Sequence, residues 1–98
     1  MSNLDMKKFH GLFDAVLKLQ TKEECEKFFE DVCTIKELQD MSQRLEVARL
    51  LKTGSNYQEV CKTTGASTAT ISRVNKCLVY GRGGYEIVLK DKEEKKNG

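Results

Sequence analysis

Hydroxyl side chains cluster at the start of one helical pattern, where they could bind phosphate or the edges of bases. The pattern follows Ser67, a residue type that caps helices by accepting a hydrogen bond from an exposed backbone N–H. The cluster consists of Ser67, Thr68, Thr70 and Ser72. Since a helix N-terminus presents unpaired N–H groups and the positive end of the helix dipole, it attracts anions. The cluster therefore predicts an anion or base-edge contact, the alternative being an ordinary serine-capped surface helix.

The first turn after Ser67 contains no acidic residue, whereas other helix starts in the chain do. Glutamate follows a hydroxyl or amide residue by three positions at Thr21–Glu24, Thr34–Glu37 and Asn56–Glu59. This spacing predicts capping boxes, in which the glutamate also favours the positive end of the dipole. A glutamate after Ser67 would stabilise the helix but repel a phosphate, so its omission favours a nucleic-acid contact.

The spacing around Gly65 is that of a helix-turn-helix. Gly65 can take the left-handed conformation that ends one helix and redirects the chain. Cys61, four residues earlier, is small enough to let two helices cross closely, and Ile71, six residues later, fills the crossing. Val60 and Val74 complete the inward faces. These distances predict the DNA-binding form of the motif over about residues 56–79.

Charge is unevenly distributed along the 98 residues, although the net charge is only +2. Residues 1–48 contain seven basic and ten acidic side chains, and residues 86–98 contain four of each. Residues 49–85 contain six basic side chains and a single acid, Glu59. A basic segment that coincides with the motif predicts a nucleic-acid-binding face, the alternative being a solvated surface whose acids lie elsewhere.

Composition argues against catalysis, a metal site and a membrane segment. His10 is the only histidine, and no glycine-rich phosphate loop or activated nucleophile is recognisable. The four cysteines lack Cys-x-x-Cys spacing and fall on apolar helical faces, so all are predicted to be buried in a reducing compartment; they are Cys25, Cys33, Cys61 and Cys77. No apolar run could span a membrane and no signal peptide opens the chain. We therefore expect a cytoplasmic protein that is not an enzyme and holds no metal.

Apolar periodicity predicts an all-α fold. One helix has apolar residues at positions 9, 12, 13, 16 and 17, and a second has them at 25, 28, 29, 32 and 33. A third, from the cap Thr34 to about Lys52, is apolar on more than one face, as a central helix would be. We expect a single domain over residues 1–90, in which Tyr85–Leu89 docks as a short helix or extended segment, and a disordered tail over residues 91–98.

The predicted N-terminal helices carry aromatic residues that a small core would leave uncovered, namely Phe9, Phe13, Phe28 and Phe29. A two-fold dimer would bury these rings and would place two motifs about one turn of DNA apart. We therefore expect a homodimer, the alternative being a monomer whose apolar faces pack on each other.

A family resemblance is carried by residues 34–78, TIKELQDMSQRLEVARLLKTGSNYQEVCKTTGASTATISRVNKCL. This segment resembles the Trp repressor superfamily, and the whole chain is similar to its YerC/YecD-type branch. GASTATISR is the most specific piece, one residue must be dropped just before Tyr57, and the N-terminal helices are similar by pattern only. The resemblance implies a Trp-repressor-like, intertwined, all-helical homodimer whose two helix-turn-helix units dock in successive major grooves.

The resemblance also implies a small amino-acid-like effector. In that family a corepressor lies between the central and recognition helices, sandwiched by two arginines. The matching positions here are Arg44 and Arg73, and Thr34 matches a residue at the start of the central helix. Guanidinium groups stack on aromatic rings and bind carboxylates, which suits this arrangement. Apart from such an effector, no cofactor is expected.

Two departures from the family pattern put tryptophan itself in question. Val74 stands where tryptophan-binding members have glycine, and Cys77 stands where a serine hydroxyl helps to hold the ligand amine. Other roles for the two arginines stay open. Arg44 could form a salt bridge to Glu37 or Asp40, and Arg73 could contact a phosphate.

The resulting hypothesis is a bacterial-type, homodimeric, repressor-like regulator of transcription that binds specific double-stranded DNA. The residues expected to approach DNA are Tyr57, Gln58, Ser67, Thr68, Ala69, Thr70, Ser72, Arg73, Asn75 and Lys76. Two alternatives stay open. A protein–protein adaptor could keep the fold without reading DNA, with Gly81–Tyr85 as its docking segment. A DNA-binding protein without an effector could use Arg44 and Arg73 for structure alone.

Overall fold

The computed structural model describes residues 5–90, which form helices joined by short turns. Their bounds are a 3-10 turn at Met6–Phe9, α1 at His10–Val16, α2 at Lys22–Val32, α3 at Ile35–Lys52, α4 at Tyr57–Thr64, α5 at Thr68–Tyr80 and α6 at Gly84–Leu89. Residues 5–90 contain no strand, so the all-α prediction is confirmed. The predicted disordered tail at residues 91–98 lies outside the described residues. None of the described helices is long and apolar enough to cross a membrane.

Contacts within the chain define two compact units, one that runs to Ile35 and one that begins at Lys36. In the first unit, the rings of Phe28 and Phe29 meet edge to face with their centroids 5.1 Å apart. No residue between positions 5 and 35 is fully buried. Phe9 and Leu12, on the apolar face predicted from the sequence, are 39% and 47% exposed. The first unit therefore leaves a large part of its apolar surface uncovered.

The core of the second unit lies where α3, α4 and α5 cross. Val47 and Ala48 come from α3, Val60 from α4, and Ile71 and Val74 from α5, and all five are buried. Ala66, in the turn between α4 and α5, completes this cluster. Burial of each branched side chain contributes about 1.5–3 kcal/mol relative to exposure, so the crossing is the main source of stability in the unit. The inward residues predicted for the two helices of the motif are confirmed, with Cys61 half-buried at the edge of the cluster.

The turn between α4 and α5 is closed by local hydrogen bonds. Gly65 has φ +75° and ψ 4°, and its N–H donates to the carbonyl of Cys61 at 2.9 Å. A Cβ at Gly65 would have nothing within 4 Å, so glycine is needed for the left-handed backbone and not for space. The Thr64 hydroxyl donates to the Val60 carbonyl at 2.7 Å and accepts from the N–H of Ala66 at 3.1 Å. The predicted motif is therefore present with its predicted turn residue.

Helix α6 docks on the same core from the C-terminal side. Tyr85 and Leu89 pack against the buried cluster, which confirms the prediction that this segment docks. The Nζ atom of Lys52, at the end of α3, lies 2.6 Å from Oε1 of Glu86. Between α5 and α6, a Cβ at Gly81 would overlap the carbonyl oxygen of Cys77, although Gly81 is exposed to solvent. The α5–α6 connection is thus fixed by close approach of the backbone to itself.

The prediction that all four cysteines are buried is wrong for the single chain. Cys25 and Cys77 are exposed, and Cys33 and Cys61 are half-buried. Cys25 lies on the apolar face of α2, where no residue is fully buried. Cys77 lies six residues after the buried Ile71, which places it about 120° around the helix from Ile71 and so at the side of the buried face of α5.

Candidate nucleic-acid interface

The start of α5 is capped by a neutral residue. Ser67 has extended backbone angles, φ −71° and ψ 160°, and its Oγ accepts a hydrogen bond from the Thr70 N–H at 3.1 Å. The Ser67 hydroxyl in turn donates to Oγ1 of Thr70 at 3.1 Å. The first turn has no acidic side chain. This helix end therefore keeps its positive dipole charge uncompensated by a carboxylate.

The start of α4 is capped differently. Oδ1 of Asn56 accepts from the Glu59 N–H at 2.9 Å, and Oε1 of Glu59 accepts from the Asn56 N–H at 3.0 Å, which confirms the predicted capping box. The single acid of residues 49–85 is thereby held against the backbone at the beginning of α4. At α2, the box is offset: Thr21 accepts from the Glu24 N–H, but the Glu24 carboxylate accepts from the N–H of Gln20. The Thr34–Glu37 box stays a prediction.

The residues predicted to contact DNA lie on α4, on α5 and at the cap between them. Ala69, Ser72, Arg73 and Lys76 follow the spacing i, i+3, i+4, i+7 and form one stripe along α5, which we call the outward stripe. All four are exposed. The buried Ile71 and Val74 lie on the other side of the helix, so packing of the core fixes which way the outward stripe faces.

The remaining predicted contact residues lie near the starts of α4 and α5, except for Asn75, which lies in the middle of α5. Tyr57, Gln58, Ser67 and Thr68 are exposed, and Thr70 and Asn75 are half-buried. Gln58 lies two residues before Val60, on the solvent side of α4. The structure therefore brings all ten predicted residues onto the helix-turn-helix, while their contacts with DNA stay a prediction.

Ion pairs neutralise the basic segment outside the motif. Both nitrogens of one edge of the Arg49 guanidinium bond to the Glu46 carboxylate, with Nε 3.1 Å from Oε1. This hydrogen bonding lowers the pKa of Glu46 and raises the pKa of Arg49. Lys52 is paired with Glu86. The two cations that precede α4 are thus compensated.

The cations of the motif and of the connection that follows it are not compensated. Lys62, Arg73, Lys76 and Arg82 are exposed, and none of them forms an ion pair within residues 5–90. Lys62 follows Gln58 by one helical turn on the face of α4 opposite Val60. Lys62 and Arg82 belong to the basic segment of the sequence, but their type and spacing alone do not mark them as contact residues. Their exposure and lack of partners make them additional candidates.

The three residues implied for an effector are divided between the two units, and an effector site formed by them stays a prediction. Thr34 belongs to the first unit, whereas Arg44 and Arg73 belong to the second. Arg44 is half-buried on α3, and none of the ion pairs of residues 5–90 involves it. The suggested partner Asp40 is paired with Lys36 instead, at 3.2 Å. Arg73 is exposed on the outward stripe.

Comparison with known proteins gives consistent matches. A family model for the Trp repressor protein matches residues 7–93. YerC, an uncharacterised protein of Bacillus subtilis (strain 168), is 53% identical over 83 residues, which cover 85% of this chain and 80% of that protein. The crystal structure of a TrpR-like protein from Eubacterium eligens ATCC 27750 matches with a TM-score of 0.82 at 49% identity, covering 86% of this chain and 87% of the other. The crystal structure of a proposed Trp repressor from Staphylococcus aureus matches with a TM-score of 0.82 at 43% identity, covering 89% of this chain and 92% of the other.

The Ser67 cap can be tested by its contribution to stability. We expect Ser67→Ala to lower the free energy of unfolding by about 1 kcal/mol, because the Thr70 N–H and hydroxyl lose their partner. The measurement is urea unfolding followed by circular dichroism at a fixed protein concentration. Ser72→Ala, an exposed serine on the same helix, is the control and should change stability by less than about 0.5 kcal/mol. Equal losses in the two variants would show that Ser67 is not a functional cap.

Proposed function

The chain belongs to the Trp repressor family, a family of DNA-binding regulators, and on that premise we propose that it is a sequence-specific, homodimeric, repressor-like regulator of transcription. In this proposal the helix-turn-helix of α4 and α5 reads double-stranded DNA in the major groove. The observation that carries it is the combination, on one motif, of an acid-free helix start and exposed, unpaired cations. A cytoplasmic location, expected from the sequence, accompanies this function.

The contacts proposed for the groove come from the beginning of α5. Thr68, Ala69 and Thr70 are small or hydroxyl residues that suit thymine methyl groups and base edges, directly or through water. Arg73, one turn further along the outward stripe, suits a guanine or a phosphate. Asn75 and Lys76 extend the same contact.

The phosphate backbone is assigned to α4 and to the cap. Tyr57 and Gln58 are exposed at the N-terminus of α4, and Lys62 lies one turn beyond Gln58. Contacts of this kind fix the register of a protein on the duplex without reading its sequence. Ser67 and Ser72 complete the polar surface between the two helices.

Homodimer formation is supported by apolar surface that the chain does not cover. Phe9, Leu12 and Phe13 of the first unit are more than a third exposed, as are Met41 and Leu45 of α3. A second copy of the chain would bury such faces in an isologous interface. It would also supply the second helix-turn-helix motif that a palindromic operator requires.

The adaptor hypothesis has weaker support. Its proposed docking segment, Gly81–Tyr85, includes a single large apolar side chain, that of Tyr85. Tyr85 packs against the buried cluster of the second unit, so it does not present its ring as an anchor. We therefore retain DNA reading as the proposed function.

The proposed contact between the start of α5 and the major groove is tested by adding a negative charge there with a substitution that should preserve the fold. Thr70→Glu creates the sequence Ser67-x-x-Glu, which is a capping box, so the stability of α5 should be kept or raised. We expect the variant to lose at least about tenfold in affinity for a duplex selected from random DNA, since the new carboxylate meets phosphates. Fluorescence anisotropy with labelled duplex measures the loss.

Thr70→Gln is the matched control, because glutamine also completes the capping box but carries no charge. We expect it to bind at least several times more tightly than Thr70→Glu. Equal binding by wild type, Thr70→Glu and Thr70→Gln would mean that α5 is not the recognition helix. If selection from random duplex DNA yields no palindrome with half-sites about one helical turn apart, that result would contradict the proposed dimeric DNA reader.

Lys62 is tested by the salt dependence of DNA binding. Each phosphate contact that is removed should make the slope of log affinity against log salt concentration less steep by about 0.9, so Lys62→Ala, which removes one contact from each protomer of the dimer, should reduce the slope by about 1.8. Lys27→Ala, an exposed lysine on α2 in the acidic part of the chain, should leave the slope unchanged. A protein whose binding has no salt slope would instead support the adaptor hypothesis.

The homodimer is tested by the mass in solution. We expect sedimentation equilibrium to give twice the 11.2 kDa of the chain. Leu12→Asp places a charge on the uncovered apolar face and should raise the dimer dissociation constant by at least about tenfold, because a buried, unpaired charge is costly. Lys27→Asp adds an acid at an exposed polar position of the same unit and should not. A monomer at micromolar concentration in the wild type would contradict the proposal.

A further inference from the structure

Val74, on the inward face of α5, is buried in the same core cluster as aliphatic residues of α3. The Val74 side chain is 1% exposed and belongs to the same buried cluster as Val47 and Ala48 of α3. The effector implied by the family would lie between these two helices, next to Arg73 and Arg44. A planar ring needs a slot there, but a branched side chain occupies the inward face of α5 immediately after Arg73. The residues present therefore do not fit the implied ligand.

The helix-turn-helix is also tied to α3 by a polar contact. Nε2 of Gln43, on α3, donates to the backbone carbonyl of Thr64 at 3.2 Å. Both residues are half-buried, and the contact joins positions 21 residues apart in the chain. It satisfies one of the last carbonyls of α4, which have no partner within the helix. The C-terminal end of α4 is therefore held on α3 by a side chain of the protein.

A third attachment lies in the turn. The thiol of Cys61 contacts the carbonyl oxygen of Ala66 at 3.1 Å, and Ala66 is 2% exposed. Together with Ile71, which is fully buried, Ala66 fixes the turn against the core on the N-terminal side of α5. The recognition helix is thus anchored at its beginning by Ala66 and Ile71 and one turn later by Val74.

From these contacts we infer that the recognition helix is held in its DNA-reading position by the protein's own side chains, without a small-molecule effector. The inference rests on the proposed function only for its consequence, which is that DNA affinity does not depend on free amino acids. Arg73 then belongs to the DNA-binding outward stripe and not to an effector site.

Hydrogen exchange of the free, full-length protein tests the inference without DNA. Backbone amides of α5 after its first turn should exchange within about tenfold of the slowest amides of α3, as expected for one cooperative unit. Addition of the twenty amino acids at millimolar concentration should change these rates by less than about twofold. Rapid exchange of α5 that becomes slow when amino acids are added would overturn the inference.

Two matched variants identify the anchor. Val74→Ala should raise the exchange rates of α5 amides at least about tenfold, because it removes buried methyl groups. Val79→Ala makes the same change on the same helix at a position that is 60% exposed, and it should raise them less than about threefold. Similar effects of the two variants would overturn the role of Val74.

A binding measurement then separates this inference from the proposed function. Affinity for a duplex selected from random DNA should be equal with and without the amino-acid mixture, and a dependence on the mixture would overturn the inference. Failure to bind any duplex would contradict the proposed function, while the exchange rates would still decide whether α5 is anchored.

Discussion

The crossing of α3, α4 and α5 is the constraint on which the second unit depends. Three helices can approach closely there only because the side chains at the crossing are small or branched, and Ala48, Val60 and Ile71 are of these types. Because these side chains must stay buried, α5 can adopt only one orientation about its own axis. The same orientation places Arg73 and Lys76 in solvent, so the choice of core residues also determines which side chains are available to a partner.

The two helix starts of the motif separate stability from binding. At α4, the carboxylate of Glu59 completes a capping box, which satisfies two backbone donors and compensates the dipole. At α5, Ser67 supplies one acceptor and no charge. The second arrangement is less stabilising for an isolated helix, but it keeps the electrostatic potential at the helix end positive. The pairing of Lys52 and Arg49 with carboxylates has a complementary effect, because among the basic residues of positions 49–85 it leaves only those of the motif and Arg82 without an ion pair.

Local features of this fold could be predicted from the sequence, and features that depend on covering a surface could not. Gly65, Ser67 and the inward residues of α4 and α5 all lie between Val60 and Val74, so their local spacing is sufficient to predict them. The exposure of Cys25 could not be predicted, because periodicity assigns a residue to a face but does not say whether another element covers that face. The Lys52–Glu86 pair joins residues 34 apart in the chain. Its existence follows from how α6 docks and from no local pattern. The candidate DNA contacts were predicted by residue type and helix position, and Lys62 was missed because its exposure and lack of a partner are properties of the folded chain.

The connection after α5 shows that exposure to solvent and freedom to vary are different properties. Gly81 faces water, yet any side chain there would collide with the carbonyl oxygen of Cys77, which belongs to the helix backbone and cannot rotate away. An exhaustive substitution library at this position would therefore resemble one at a buried site, with alanine itself rejected. The neighbouring Arg82 is exposed as well, yet it carries a long side chain, so two adjacent exposed positions differ in the side chains that they can hold. The measured tolerance of this chain to substitution would consequently report the close backbone approach at Gly81 as well as burial in the core.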